Sequence, residues 1–133
     1  MKGFAAKATK SMNIGTNCLA SDNSGARIVR IVSVKGGKTR KGRQGYAKIG
    51  DWVKVSVRKG DPKMKGEVFD AVVIRQKKPF RRLNGERVAF MDNAVALLKD
   101  DKGNPKGTQI KGPIAKEAGD RFPFVNKIAR FVL

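Results

Sequence analysis

The sequence contains no histidine and a single cysteine, Cys18. Without histidine the chain lacks the commonest metal ligand and the commonest general base, so a Ser-His-Asp triad is impossible. One cysteine cannot close an internal disulfide, and a metal-free, cytoplasmic protein without cofactor is the expectation. Aromatic residues are sparse too: seven Phe, one Tyr and one Trp. Proteins that read single-stranded nucleic acid stack bases on exposed aromatics, so this scarcity favours a folded RNA gripped through its backbone. No run approaches the roughly 18–20 apolar residues of a membrane span, and "MKGFAAKATKSMNIGTN" has no secretory apolar region, so neither insertion nor export is expected. The glycines of "KGGKTRKG" lack the spacing of a phosphate loop, and Asp51, Asp61, Asp92 and Asp120 fall at strand ends, turns and caps, where Asp is commonly structural. An enzyme is therefore not expected.

Acidic residues are the other shortage. Thirty Lys and Arg face 11 Asp and Glu, a net charge of +19. Such self-repulsion destabilises an isolated compact chain unless a polyanion absorbs it. The imbalance is graded: residues 1–50 hold eleven cations and one acid, Asp22, whereas residues 88–133 hold eight cations and five acids. A polyanion is thus expected on the first two thirds and protein partners on the last third.

What is present suits one small β domain. At 133 residues the chain is long enough for one core. In "DWVKVSVR", Val53, Val55 and Val57 alternate with Trp52, Lys54, Ser56 and Arg58, the period of a half-buried strand. "NCLASD", "ARIVRIVSV", "EVFDAVVIR" and "RVAFMDNAVALL" are likewise rich in Val, Ile and Phe and bounded by turn residues, with no helical pattern between them. This predicts a mainly β fold, a small five-stranded antiparallel β-barrel with basic hairpin loops. Asp22-Asn23-Ser24-Gly25 should reverse the chain between the first two strands, and Asn84-Gly85 should make Val72–Phe90 a long hairpin with a basic tip. Two short C-terminal α-helices follow: Pro113 opens the first and Gly119 ends it, then Asp120 caps a second with Pro123 in its first turn. The single domain divides into a basic arm (1–16, with Lys2, Lys7 and Lys10) expected to order only on a partner, a barrel (17–106), and a helical segment (107–133).

Two loops carry the candidate RNA contacts. Lys35, Lys38, Arg40, Lys41, Arg43 and Lys48 lie within fourteen residues that include no acid, whereas a merely solubilising surface intersperses both signs. Arg75, Lys77, Lys78, Arg81 and Arg82 crowd the second loop, and Tyr46 and Phe80, the aromatics inside these loops, are candidate base stackers. In the less basic C-terminal third, Thr108, Gln109, Lys116, Glu117 and Phe124 are the candidate contacts to a partner at an interface.

These residues also carry a resemblance. Ala71-Val72-Val73-Ile74, nine residues, Asn84-Gly85, four residues, Phe90, two residues, Asn93 and then Leu97-Leu98 resembles the signature of the L-fourteen family of universal large-subunit ribosomal proteins. "DNSGA" is similar to the family's early turn and "GTQIKGPIAKE" to its C-terminal segment, with "VVIRQKK" and "GPIAKEAGD" of the archaeal type. Ala96 stands where the family usually has valine, and Gln109 replaces an arginine frequent in bacterial members. The resemblance implies a five-stranded barrel with C-terminal helices, bound to large-subunit rRNA near the subunit interface. It further implies neighbouring large-subunit proteins, bridges to small-subunit rRNA, and docking of factors that block subunit joining. A free-standing barrel that chaperones RNA or compacts DNA is the alternative, and would carry exposed aromatics on one barrel face.

Overall fold

The computed structural model describes residues 3, 6–37 and 39–133. In chain order its strands are β1 (Ala6–Lys7), β2 (Met12–Asn13), β3 (Asn17–Ala20), β4 (Ala26–Val34), β5 (Tyr46–Ala47), β6 (Trp52–Gly60), β7 (Val68–Arg75), β8 (Phe80–Arg82), β9 (Arg87–Val88), β10 (Ala94–Leu98) and β11 (Ile110–Ile114). Two helices, α1 (Lys116–Arg121) and α2 (Pro123–Ile128), precede a last strand, β12 (Ala129–Val132).

Five strands close a barrel in the order β10-β3-β4-β6-β7. Four of its pairs are antiparallel, and the closing pair, β10 with β3, is parallel. Geometry requires this: five strands cannot alternate direction all the way round a ring, so an odd barrel has one parallel seam.

The interior follows the period-two pattern. Val53, Val55 and Val57 of β6 meet Val29, Ile31, Ala71, Val73, Val95 and Leu97 inside the barrel. The alternate positions of β7 and β10 are largely covered as well, and so is Trp52 at the start of β6. Trp52, Val72, Ile74, Ala94, Ala96 and Leu98 form a second core outside the barrel wall with Ile110, Ile114, Ala118, Phe122 and Val125. Strands buried on both faces read as unbroken apolar runs, which is why "AVVI" and "AVALL" do not alternate. The C-terminal segment thus roofs one side of the barrel.

Its helices lie later than expected. Pro113 belongs to β11, whose partner is β12 in parallel register, with Pro113 opposite Phe131. The first helix begins at Lys116, and Gly119 is inside it, where a Cβ would come within 2.6 Å of Asn126 Oδ1 on α2. The glycine answers a helix–helix approach and does not end the helix. Phe122, not Asp120, caps α2, although Pro123 does occupy its first turn.

Two further expectations need correction. Val72–Phe90 is not one long hairpin: β7 pairs only with β6 and β10, while β8 and β9 form a separate short hairpin around Asn84-Gly85. The described part of the arm from Ala6 onward is also stitched to the body, whereas Lys2 lies outside the described residues. Strand β1 pairs with β8 and β2 with β5, Met12 is buried, and Gln76, wholly buried, donates from Nε2 to Thr9 and Lys78.

Candidate nucleic-acid interface

The early "DNSG" turn and the late "GTQIKGP" segment form one structure. Asn23 Oδ1 accepts from the backbone N–H groups of Thr108 (2.8 Å) and Gln109 (3.2 Å), and its Nδ2 donates to Thr108 Oγ1. A Cβ at Gly107 would lie 2.7 Å from Asn23 Oδ1, so the segment can approach the turn only with glycine there. Asp22, buried, accepts from the Leu97 N–H at 2.9 Å and from Ser24 Oγ at 2.7 Å. Its carboxylate sits where β3 meets β10 and satisfies backbone that the parallel seam leaves over.

Arg75, a candidate RNA contact in the sequence, instead completes this junction as a buried, internally paired side chain. Only 6% exposed, it donates from Nε and Nη2 to both oxygens of Asp92, from Nη1 to the carbonyls of Lys111 (3.0 Å) and Pro113 (2.8 Å), and from Nη2 to Ser21 Oγ. All five guanidinium donors are occupied by the chain itself. Arg82 is similarly engaged: its Nε lies 2.8 Å from Glu117 Oε1, and Nη2 reaches Glu117 Oε2 and the Leu133 carbonyl. Glu117, 5% exposed, is thus an internal partner and not an interface residue. Phe80 has no exposed surface and packs with Ile49 and Ala115, so it cannot stack on a base.

The other candidates remain at the surface. Lys38 lies outside the described residues. Arg40, Lys41 and Arg43 are exposed, and among the described residues they make no ion pair. Their loop is held by Thr39, whose Oγ1 accepts from the Arg43 N–H at 2.9 Å, and by Gln44 Nε2 donating to the Ile14 carbonyl. The loop's base borders a cleft of about 400 Å³ lined by Lys35, Thr39, Tyr46, Lys48, Asp51 and Arg121 among others. Lys35 Nζ lies over the Trp52 ring and Lys10 Nζ over the half-buried Tyr46 ring, each 4.4 Å from the centroid. Tyr46 therefore already has one cation on its face. Burial raises the Asp51 carboxyl pKa against the opposing pull of Lys48 and Arg121, and the carboxylate lies 3.6 Å from Arg121 Nη1 as the cleft's own counter-charge.

Lys77 and Lys78 are exposed where the chain leaves β7, and Arg81 is exposed on β8. Arg81 stands directly opposite Lys7 of β1 and Arg87 of β9. Neither Lys7 nor Arg87 was among the candidates named from sequence. Arg87 was legible, because a hairpin centred on Asn84 pairs 81 with 87, whereas nothing local in the sequence foretells Lys7.

Of the C-terminal candidates, Thr108, Gln109 and Lys116 are exposed and Phe124 is 44% exposed beside Lys127. Cys18 is buried against Met12, and burial pushes its thiol pKa up to about 11, which leaves it unreactive.

Fold and surface together define a class: a small closed β-barrel whose internal cations are paired and whose loops present the remaining ones outward. Within that class the chain belongs to the Ribosomal protein L14p/L23e family, whose model matches residues 11–133. It is 52% identical to the Large ribosomal subunit protein uL14 of Nanoarchaeum equitans (strain Kin4-M) over 133 residues, 100% of each chain. It is 50% identical to the protein of that name from Methanothrix thermoacetophila and 44% identical to that from Halorubrum lacusprofundi, again over 100% of each chain. The archaeal-type resemblance read from the motifs is thus matched by archaeal relatives.

Proposed function

We propose that this chain is a non-catalytic, structural constituent of the large ribosomal subunit in the cytoplasm. It binds large-subunit rRNA through Arg40, Lys41 and Arg43 of the first loop, with Lys35 and Lys48 at its base, and through Lys77, Lys78 and Arg81 of the second. The observation that carries this reading is a loop held in shape by Thr39 whose exposed Arg40, Lys41 and Arg43 make no ion pair among the described residues, in a chain of net charge +19. Each such cation displaces counterions from phosphate, so binding weakens with salt. Membership of a ribosomal protein family supports rRNA as the polyanion.

The finer reading places the segment around Thr108, Gln109, Lys116 and Phe124 against neighbouring ribosomal proteins and the subunit interface, with small-subunit rRNA and a factor that blocks subunit joining as further partners. Its support is the lower charge and partly apolar exposure of that segment.

Reversing charge at Arg40, Lys41 and Arg43 together is expected to reduce incorporation into large subunits severalfold in competition with the wild-type chain. Equal occupancy of the two would remove these residues from the interface. Sedimentation of a native lysate tests the class: co-migration with large subunits until strongly dissociating salt supports a ribosomal constituent, and a signal mainly among free proteins favours a transient nucleic-acid binder.

A further inference from the structure

The three-stranded sheet β1-β8-β9 has two unlike faces. Side chains alternate across a strand, so Phe80 and Arg82 share one face of β8 and Arg81 has the other. The inner face packs Phe80 among Ile49, Ala115 and Val88 and ties Arg82 to Glu117. On the outer face Lys7, Arg81 and Arg87 stand in one registered row, all exposed, and none has an ion-pair partner among the described residues.

Directly opposed side chains on neighbouring strands have Cβ atoms roughly 4.5–5.5 Å apart, and like charges there are destabilising. Two such repulsions in a sheet this small oppose its own formation, and the arm strand, unlike β9, is not joined to β8 by a tight hydrogen-bonded turn. Its backbone register with β8 covers two residues, supplemented by Thr9 Oγ1 donating to the Pro79 carbonyl at 2.8 Å and by Gln76. The neighbouring strands lie about 4.8 Å apart, so the row spans roughly 10 Å, a reach suited to more than one phosphate of a nucleic-acid backbone.

We infer that Lys7, Arg81 and Arg87 form a single site for the phosphate backbone of RNA, completed only when the arm strand is docked, so that RNA binding and arm docking strengthen one another. This rests on the rRNA-binding reading above and adds a site and a linkage to it. Whatever favours the paired arm presents Lys7 to phosphate, and phosphate in turn cancels the repulsion that loosens the arm.

The test uses the full-length protein and purified large-subunit rRNA of the source organism, comparing wild type with K7A, R81A, R87A and the triple variant. Affinity is measured over a salt series, and amide hydrogen exchange is followed in residues 6–13. Each single variant should lower the slope of log affinity against log salt by about 0.7–0.9 and the triple by about 2–3. RNA should slow exchange of the arm in wild type and fail to do so in R81A, which still binds through the loop at Arg40–Arg43. Without RNA the sign should invert: removing Arg81, or adding salt, should slow exchange of the arm by relieving repulsion. An unchanged slope in the triple variant, or equal arm protection by RNA in R81A, overturns the site while leaving the rRNA reading intact. Absence of salt-sensitive RNA binding by the wild type overturns both.

Discussion

Arg75 and Arg81 stand six residues apart in one basic stretch and differ in everything but charge. Arg75 is enclosed, with its five donors spread over Asp92, Ser21 and two carbonyls of the 111–113 strand, whereas Arg81 faces outward beside two other cations. Removing one partner of a largely buried pair leaves uncompensated polar groups. Arg75→Met should therefore lower unfolding stability by about 2–4 kcal/mol, a figure below the fully buried case because the Asp92 side chain is 32% exposed. Arg40→Ala, at an exposed unpaired site, should stay within about 0.5 kcal/mol. Urea titration of both variants decides the matter, and a similar small effect for each would mean that the Arg75 network contributes only orientation. The sequence could not separate these two arginines, because the partners that sequester Arg75 lie 17 and more residues away and Glu117 lies 35 residues from Arg82. Charge density is visible locally, while the distant groups that absorb a charge are not.

At the scale of elements, what was legible had a local cause. The five barrel strands announce themselves through period-two or doubly buried apolar runs and through turns made of Asp, Asn and Gly. The C-terminal segment was read three residues early because Pro113 and Gly119 imitate helix punctuation, while both serve tertiary packing: Pro113 lies in β11, and Gly119 admits Asn126. The parallel partner of β11 was invisible for a similar reason, since β12 is short, exposed and without alternation. One glycine shows how tightly the barrel elements meet. Gly60, at φ +148°, ends β6, and a Cβ there would lie 2.6 Å from the Gly25 carbonyl oxygen and 2.9 Å from Ala26 Cα, both backbone atoms that cannot swing aside. Gly60→Ala is expected to lower stability by about 2–4 kcal/mol. Gly42→Ala, with positive φ but open space in the basic loop, should cost about 1 kcal/mol. Thermal and urea unfolding of the pair check the ordering, and a Gly42 variant as damaged as the Gly60 one would contradict the packing described.

For the molecule as a whole, at least five of the eleven acids are engaged by the chain itself. Asp51, Asp70, Asp92 and Glu117 pair internally with Arg121, Lys54, Arg75 and Arg82, and Asp22 satisfies backbone, so the few acids left cannot balance a net charge of +19. Salt must then act on the free protein and on its RNA complex with opposite signs. Raising monovalent salt from about 0.01 to 0.1 M shortens the screening length from about 30 to about 10 Å, which weakens repulsion between loops on the same barrel. The urea midpoint of the free chain should rise over this range, while affinity for rRNA falls steeply as phosphate contacts lose their counterion advantage. A free chain destabilised by the same salt would mean that attractive pairs outweigh the repulsion. In that case the excess charge would not be a load that RNA relieves, and the mutual strengthening of arm docking and RNA binding would lose its physical basis.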